Sequence, residues 1–236
     1  MPGKTESYDE LWGTAWGDIQ RFGPVHRHMH EAVLRVLSEL AVETVLDAGC
    51  GSGEALALLA ATAQYELCGA DVSREALALA RERVPGVRLQ ILDIERAALP
   101  ETFDLVLSVQ VIEHLVDDIS ALRHMAEMAS KYVYVSTIAG RMRRSERAIG
   151  HVRNYSAVEL RTKLELAGLE VLHIRGWGFP FYSPLYRSAT EWLPGGPPDG
   201  QLGPLARFAA RVLYQLYRAN ISGYGDVISA LARKAS

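Results

Sequence analysis

Cysteine is scarce in this sequence, and long apolar runs are missing. Its 236 residues include two cysteines, Cys50 and Cys68, which cannot build a disulfide framework or a cysteine-based zinc site. No apolar run approaches the roughly 18 residues that span a bilayer, and the N-terminus carries no signal-peptide pattern. These absences predict a cytoplasmic protein without a transmembrane segment.

An excess of positive charge is also missing. Lys and Arg number 25 and Asp and Glu 28, for a net charge of -3. This balance argues against a broad nucleic-acid-binding surface, although it leaves a local basic patch open. The 49% hydrophobic content suits one large α/β domain with a buried core. We therefore expect a single domain over residues 1–236 and no nucleic-acid partner.

Glycine, in contrast, is concentrated in one stretch. Residues 45–48 predict a short buried strand, and Gly49, Gly51 and Gly53 follow it at every second position. Glycine permits a sharp strand-to-helix turn and lets a ligand approach the backbone closely. A dinucleotide fold would place its third glycine at position 54, where this chain has Glu54. The loop therefore predicts a ligand site of a related but different kind.

Acidic residues end three predicted strands. Asp71 follows Gly53 at close to the roughly 20-residue interval at which a strand-end carboxylate binds ribose hydroxyls. The alternative is that Asp71 caps the next helix, which Ser73 could equally do. Asp47 and Asp93 end the two other strands. The carboxyl ends of parallel strands form the ligand-binding edge of such sheets, so we expect all three acids there.

Three segments resemble motifs of class I S-adenosylmethionine-dependent methyltransferases. They are V-L-D-A-G-C-G-S-G at residues 45–53, F-D-L-V at residues 103–106 and Q-V-I-E-H at residues 110–114. The last resembles E-V-L-E-H in ubiquinone-type O-methyltransferases of the methyltransferase type 11/12 group. The resemblance implies a seven-stranded, Rossmann-like α/β sheet with an antiparallel last strand. It also implies S-adenosyl-L-methionine as cofactor and S-adenosyl-L-homocysteine as product.

The resemblance divides the chain into four parts. Residues 43–176 match well and are predicted to be the cofactor-binding core. Residues 1–42 are predicted to be an N-terminal lid, with an amphipathic helix that starts at Pro24. Residues 177–223 are predicted to be a helical cap insertion, and residues 224–236 the last strand.

The resemblance also implies a set of cofactor contacts. The glycine loop would contact the methionine part, Asp71 the ribose and Asp93 the adenine, and the end of the fourth strand would border the sulfonium. The expected cofactor-binding residues are Asp47, Gly49, Gly51, Gly53, Asp71, Val72, Asp93, Ile94, Val109 and Gln110.

Two histidines are candidate catalytic residues. His114 is the preferred general base or substrate-orienting group, and His151, in a segment resembling H-x-R-x-[FY]-[ST], is the second. The alternative for Glu113-His114 is a cap on the next helix. A related E-x-x-E-H pattern binds a divalent metal in small-RNA 2′-O-methyltransferases. Here Gln110 replaces the first acid, so we expect no metal.

Candidate substrate contacts come from three regions. Two of these residues lie in the predicted lid, two in the segment after His151, and two in the aromatic-rich stretch after residue 177. Simple packing is the alternative for the lid aromatics. The candidates are Trp16, His26, Arg153, Tyr155, Phe181 and Tyr182.

An apolar stripe at helical spacing marks residues 205–217, and Arg207, Arg211 and Arg218 share its helix. The stripe consists of Leu205, Phe208, Ala209, Val212, Leu213, Leu216 and Tyr217. Four interpretations are open: a helical layer packed on the domain, a substrate cap, a homodimer contact or peripheral membrane contact.

The sequence thus predicts an enzyme that methylates a small molecule, with a hydroxyl oxygen as the expected acceptor. Secondary metabolites, quinone-like compounds and saccharide- or lipid-linked molecules are the expected acceptors. Three alternatives stay open: a nicotinamide-dependent oxidoreductase, a non-catalytic module of the same fold, and an RNA 2′-O-methyltransferase.

Overall fold

The computed structural model describes residue 12, residues 17–189 and residues 202–234. The strands are β1 (Thr44–Ala48), β2 (Glu66–Asp71), β3 (Arg88–Ile91), β4 (Phe103–Val109), β5 (Ala129–Ile138), β6 (Leu169–Trp177) and β7 (Val227–Lys234). The helices are α1 (Gly17–Phe22), α2 (Pro24–Ser38), α3 (Glu54–Ala60), α4 (Arg74–Arg83), α5 (Asp118–Met128), α6 (Arg144–Ala148), α7 (Ala157–Leu166), α8 (Arg187–Ala189) and α9 (Pro204–Tyr217). A 3-10 turn (Ile112–His114) and a π-helical segment (Phe181–Tyr186) complete the described elements.

The seven strands form one sheet in the order β3-β2-β1-β4-β5-β7-β6. Strands β1 to β5 pair in parallel, whereas β7 runs antiparallel to both of its neighbours, β5 and β6. The predicted Rossmann-like sheet with an antiparallel last strand is confirmed. The strand order reverses direction between β1 and β4, and ligands of such sheets bind beyond the carboxyl ends of the strands at that point.

Helices cover both faces of the central strands. Successive side chains of a strand point to opposite faces, and Leu46 and Val45 of β1 accordingly belong to different apolar clusters. Leu46 packs in the cluster with Leu122 of α5 and Leu160 of α7, and Val45 in the cluster with Val33 of α2. Because both faces of β1 are buried, the strand is apolar almost throughout. The glycine loop thus follows a strand that is packed on both faces.

The last strand begins later than the predicted start at residue 224. Gly225, just before it, has a φ of +129°, and a Cβ there would lie 2.2 Å from the carbonyl oxygen of Trp177. The chain therefore passes too close to the end of β6 to pair as a regular strand. Pairing with β5 begins where Val227 meets Ile138.

Helix α9 packs on α2, as predicted for a helical layer, but only Leu213 and Tyr217 of the predicted stripe lie on the packed face. Ala210, Tyr214 and Tyr217 are buried, and the Tyr214 ring stacks on His28 of α2 with centroids 4.5 Å apart. Because tyrosine rings bury more area than aliphatic side chains, Tyr214 and Tyr217 determine which face of α9 is buried. Five members of the predicted stripe are exposed instead: Leu205, Phe208, Ala209, Val212 and Leu216. No helix in the described part of the chain is long and apolar enough to span a bilayer.

Candidate active site at the carboxyl edge of the sheet

A loop of closely packed glycines follows β1. Gly49 has a φ of +84°, and a Cβ there would lie 2.4 Å from Cγ2 of Val111. A Cβ at Gly51 would lie 2.4 Å from a ring carbon of Trp12. The amide of Gly49 donates to the carbonyl of Ala70 in β2 at 2.7 Å. Both positions therefore require glycine for the fold of the loop itself.

Asp71 is fixed against this loop. Its Oδ2 accepts a hydrogen bond from the Gly51 amide at 2.9 Å, and its Oδ1 accepts one from the Ser73 amide at 2.9 Å. Ser73 caps α4, because its hydroxyl accepts from the Ala76 amide at 3.1 Å. Helix capping thus belongs to Ser73, and the Asp71 carboxylate lies beside the glycine loop.

The other two acids also lie at strand ends. Asp47, near the end of β1, is buried, and burial followed by the charge of Asp71 raises its pKa to about 7. Asp93 follows β3, and its neighbour Ile94 is buried. Val72, next to Asp71, is half-buried. The predicted grouping of acids at the carboxyl ends of β1, β2 and β3 is therefore present in the structure.

Gln110 has an unusual backbone conformation directly after Val109, the last residue of β4. Its φ is +59°, a left-handed value that costs a non-glycine residue on the order of 1 kcal/mol. The Gln110 amide donates to the carbonyl of Ser136 at 2.8 Å. Its side-chain Nε2 is buried without a hydrogen-bond partner among the described residues. A ligand at this strand end would complete its hydrogen bonding.

Glu113, His114 and His151 form a buried cluster beyond the same strand end. The imidazole rings meet edge to face with centroids 4.6 Å apart. One ligand atom from each of the three residues lies within 4.8 Å of the others. Thr137 Oγ1 donates to Glu113 Oε2 at 2.7 Å, and the Val152 amide donates to the Glu113 carbonyl at 2.9 Å. These bonds bring the loop that contains His151 against the 3-10 turn.

The alternative of a helix cap does not describe Glu113 and His114. Helix α5 is capped by Asp117, whose Oδ1 accepts from the Ser120 amide at 3.1 Å. The two residues of the motif lie before this cap, in the 3-10 turn, and both are buried. Their position is therefore explained by the cluster and not by the start of α5.

Burial sets the proton affinities of the cluster. It raises the pKa of Glu113 to about 7, although the hydrogen bond from Thr137 acts in the opposite direction. Burial also lowers the pKa of His151, against the raising effect of Glu146. A neutral imidazole can accept a proton from a bound hydroxyl. The same three donors could also coordinate a cation, and the expected absence of a metal stays a prediction.

Arg153 and Tyr155 are engaged in a structural contact. Arg153 Nη1 lies 2.7 Å from Asp118 Oδ2, and the Tyr155 hydroxyl donates to the same oxygen at 2.6 Å. Lys163 Nζ also lies 2.5 Å from this oxygen. These bonds tie the segment after His151 to α5 and α7. They favour a structural role, and the expected substrate contact of Arg153 and Tyr155 stays a prediction.

Phe181 and Tyr182 belong to an aromatic cluster at the start of the cap. The Tyr182 ring lies 5.9 Å from the ring of Trp177 and 5.9 Å from that of Tyr217. Burial raises the pKa of Tyr182, so its phenol is neutral. Val109, at the end of β4, packs against the same cluster together with Phe181. The cluster thus borders the strand end, where a substrate role of Phe181 and Tyr182 stays a prediction.

The candidate lid residues are only partly described. Trp16 lies outside the described residues. His26 lies in the first turn of α2, and burial lowers its pKa to about 4. Burial and then repulsion from His26 lower the pKa of His30, one turn further on, to about 3. The His30 imidazole is buried and that of His26 is half-buried, and substrate contact by His26 stays a prediction.

Sequence reasoning missed an ion-pair network behind His151. Arg187 Nε donates to Glu146 Oε1 at 2.7 Å, and Arg187 Nη1 lies 2.6 Å from Asp226 Oδ2. Asn154 Nδ2 donates to Glu146 Oε2 at 2.9 Å, and the His151 amide donates to the Glu146 carbonyl at 3.0 Å. The network holds the His151 loop in place. Its members come from distant parts of the sequence, so no local pattern signals it.

The strand order, the glycine loop and the strand-end acids together define a Rossmann-like methyltransferase fold. The chain belongs to the methyltransferase domain family, whose model matches residues 22–174. The methyl donor of this enzyme family is S-adenosylmethionine. The family, the enzyme class and the cofactor predicted from the sequence are confirmed.

Known relatives agree with this family. The ubiquinone biosynthesis O-methyltransferase of Ralstonia nicotianae is 31% identical over 147 residues, which cover 58% of this chain and 61% of that protein. The match therefore spans about three fifths of the relative's length. The solved N-methyltransferase NodS from Bradyrhizobium japonicum, in complex with S-adenosyl-l-homocysteine, has a TM-score of 0.65 at 19% identity, with 98% of both chains covered.

A second solved structure is similar over the full length. It is the complex between the Haloferax volcanii Trm112 methyltransferase activator and a putative methyltransferase, with a TM-score of 0.64, 21% identity and 100% of both chains covered. At these identities, both structures show the fold alone.

Proposed function

We propose that this protein transfers a methyl group from S-adenosylmethionine to a hydroxyl oxygen of a small molecule. The observation that carries this proposal is the buried cluster of Glu113, His114 and His151 beyond the end of β4. A hydroxyl is a weak nucleophile until a neighbouring base takes its proton. An imidazole pair at the strand end therefore suits an oxygen acceptor.

The strand ends suit the cofactor. Asp71 would accept hydrogen bonds from the ribose hydroxyls, and Asp93 from the adenine amine. The side chain of Gln110, whose buried amide nitrogen has no hydrogen-bond partner among the described residues, would border the methionine part and the sulfonium. The remaining contacts would come from the glycine loop and its neighbours. These residues are Asp47, Gly49, Gly51, Gly53, Val72, Ile94 and Val109.

When bound, the cofactor supplies a methyl carbon on a positively charged sulfur, which a nucleophile displaces in line. His114 is assigned as the base that takes the hydroxyl proton, with His151 as the alternative. Glu113 lies within 4.8 Å of both imidazoles and would stabilise the imidazolium that forms. The cluster is buried, which excludes water from the proton transfer.

An apolar, quinone-like acceptor fits this site best. In the aromatic cluster that borders the strand end, Trp177 and Phe181 are half-buried and offer rings for stacking, whereas Tyr182 and Tyr217 are buried. The name of the Ralstonia relative supports the same acceptor class. Secondary metabolites and saccharide- or lipid-linked hydroxyls are the other acceptors under this proposal. A cytoplasmic location and a homodimer stay predictions.

Calorimetric titration with S-adenosylmethionine, with S-adenosylhomocysteine and with NADH tests the cofactor site. We expect binding of both sulfur compounds and none of NADH. Asp71→Ala should weaken binding at least tenfold, because hydrogen bonds to a charged group contribute roughly 1.5–3 kcal/mol each. Asp117→Ala, the same change at the cap of α5, is the matched control and should leave binding unchanged. NADH binding without the sulfur compounds would overturn the assignment.

Transfer of a labelled methyl group to a panel of catechols, phenols and amines tests the acceptor. Label on oxygen, lost when both histidines of the cluster are replaced, supports the proposal. Label found on nitrogen alone would contradict it. Cofactor binding with no transfer to any acceptor class, RNA included, would instead indicate a non-catalytic module.

A further inference from the structure

Helix α9 carries a row of large apolar side chains that face solvent, named here the α9 stripe: Leu205, Phe208, Val212 and Leu216. Their exposed fractions are 81%, 62%, 53% and 41%. Spacings of three and four residues place them on one side of the helix. Single exposed apolar residues are ordinary, but a contiguous row indicates an interaction surface.

The α9 stripe is separate from the face that packs on the domain. That face consists of Ala210, Tyr214 and Tyr217, which are buried on the side of α9 that packs on α2 and on the π-helical segment. Helix α9 is therefore already anchored to the protein without the stripe. The stripe contributes nothing to the buried clusters of the described structure.

The charges of this helix all have one sign. Residues 204–218 contain no acid, and their charged residues are Arg207, Arg211 and Arg218. Helical spacing places the three arginines together, between the buried face and the stripe. Arg207 Nη2 pairs with Asp18 Oδ2 at 2.8 Å, whereas Arg211 and Arg218 form no ion pair within the described part of the chain.

Further exposed apolar side chains adjoin the C-terminal end of α9. Ile221 and Phe179 are 51% and 42% exposed, and the Ile221 amide donates to the Phe179 carbonyl at 2.7 Å. Tyr224, 68% exposed, accepts a hydrogen bond from the Phe179 amide through its carbonyl. Exposed apolar side chains are thus also present beyond the C-terminal end of the helix.

We propose that α9 is an interfacial helix that docks this protein on an anionic lipid bilayer. A helix lying in a bilayer interface buries an apolar face among the acyl chains and keeps basic side chains at the headgroups. The α9 stripe supplies the apolar face, and Arg211 and Arg218 supply the basic side chains. A second copy of this chain fits less well, because a two-fold contact would bring arginines together with no acid on either helix.

The test is co-sedimentation of the full chain with vesicles of phosphatidylcholine alone and of phosphatidylcholine mixed with phosphatidylglycerol. We expect binding to the mixed vesicles, weak binding to phosphatidylcholine alone, and a decrease with added salt. Phe208→Ser with Val212→Ser should lower the partition coefficient at least tenfold. Arg211→Gln with Arg218→Gln should lower it roughly 25-fold, since each basic residue near an anionic surface contributes about fivefold.

Val158→Ser is the matched control, because Val158 is 75% exposed on α7, outside the stripe. It should bind vesicles as the wild type does, and circular dichroism should show all variants folded. Vesicle binding that is absent, or that survives the stripe substitutions, would overturn the proposal. So would a dimer, seen by light scattering, that the stripe substitutions dissociate without any vesicle binding. Neither readout requires methyl transfer.

Discussion

At the carboxyl edge of β1 to β4, each candidate residue lies at or next to the strand end that delivers it. Asp47, Asp71 and Gln110 need only the parallel sheet to come together. In the described part of the cap, residues 177–189 and 202–223, side chains are placed by partners far away in the sequence. Arg187 depends on Glu146 and Asp226. The candidate site is thus formed by residues that the sheet itself positions, whereas the cap depends on long-range packing.

The largest expected effect concerns the two histidines at the sheet edge, because the contrast with the cap requires that the base lies there. Replacing both His114 and His151 by alanine should lower methyl transfer by about 10²- to 10⁴-fold, the usual contribution of general base catalysis. Calorimetry on the same variant should show that S-adenosylmethionine affinity is retained, because neither residue is expected to contact the cofactor. Near-normal turnover would show that the base does not lie at the sheet edge, and that it must be sought in the cap or on the acceptor itself.

A pair of substitutions on α9 sharpens the comparison within the cap. Tyr217→Ala should lower the free energy of unfolding by about 3–5 kcal/mol, because the ring is fully buried. Phe208→Ala, nine residues away on the exposed stripe, should change it by less than about 0.5 kcal/mol. Urea denaturation measures both. Equal losses would show that the stripe also packs on the protein.

A third test concerns α2, between the two regions. Burial holds the pKa of His30 at about 3, far below its ordinary value of 6.5. Protons therefore bind the unfolded chain first, and this residue's contribution to stability is complete above about pH 6.5 and lost as pH falls towards 3. The loss should approach about 1.4 kcal/mol per pH unit.

His30→Leu isolates this effect. Asp47 and Glu113, with pKa values of about 7, bind protons in the folded state first and stabilise it as pH falls. The comparison is therefore between wild type and variant, by urea denaturation from pH 8 to pH 4. The variant should gain relative to wild type as pH falls below 6.5. A constant difference across this range would show that His30 is accessible to protons.

The last substitution, at Tyr155, separates a structural role from a substrate contact. Tyr155→Phe removes hydrogen bonds to Asp118 and to the Ile112 carbonyl. It should cost about 1–2 kcal/mol of stability and leave the KM for the acceptor unchanged. A raised KM at unchanged stability would restore Tyr155 as a substrate contact. Lys163→Met, which removes another partner of Asp118, is the control for a purely structural loss.

Much of the fold could be predicted from local patterns. The apolar run into Gly49 and the acids at Asp47, Asp71 and Asp93 indicated parallel strands, because strand ends and tight turns have strong local requirements. The bounds of β7 were less accurate, since its start depends on how closely Gly225 passes Trp177.

The candidate site was predicted in part. Glu113, His114 and His151 stood in recognisable segments, but only folding brings the two imidazoles to 4.6 Å. Arg153 and Tyr155 stood in the same segment as His151, and their engagement with Asp118 could not be foreseen. A local pattern shows which residues lie near a strand end, but not which partner each side chain finds there.

The sequence by itself determined the class of sheet, the glycine loop, the strand-end acids and the family, because each depends on a short stretch of chain. Only the tertiary structure decided which face of α9 is buried, which histidines meet and which arginines are paired. Helical periodicity identifies an apolar face without saying what covers it. The partners that decide these questions, His28 for Tyr214 and Glu146 for Arg187, are brought there by the packing of the whole domain.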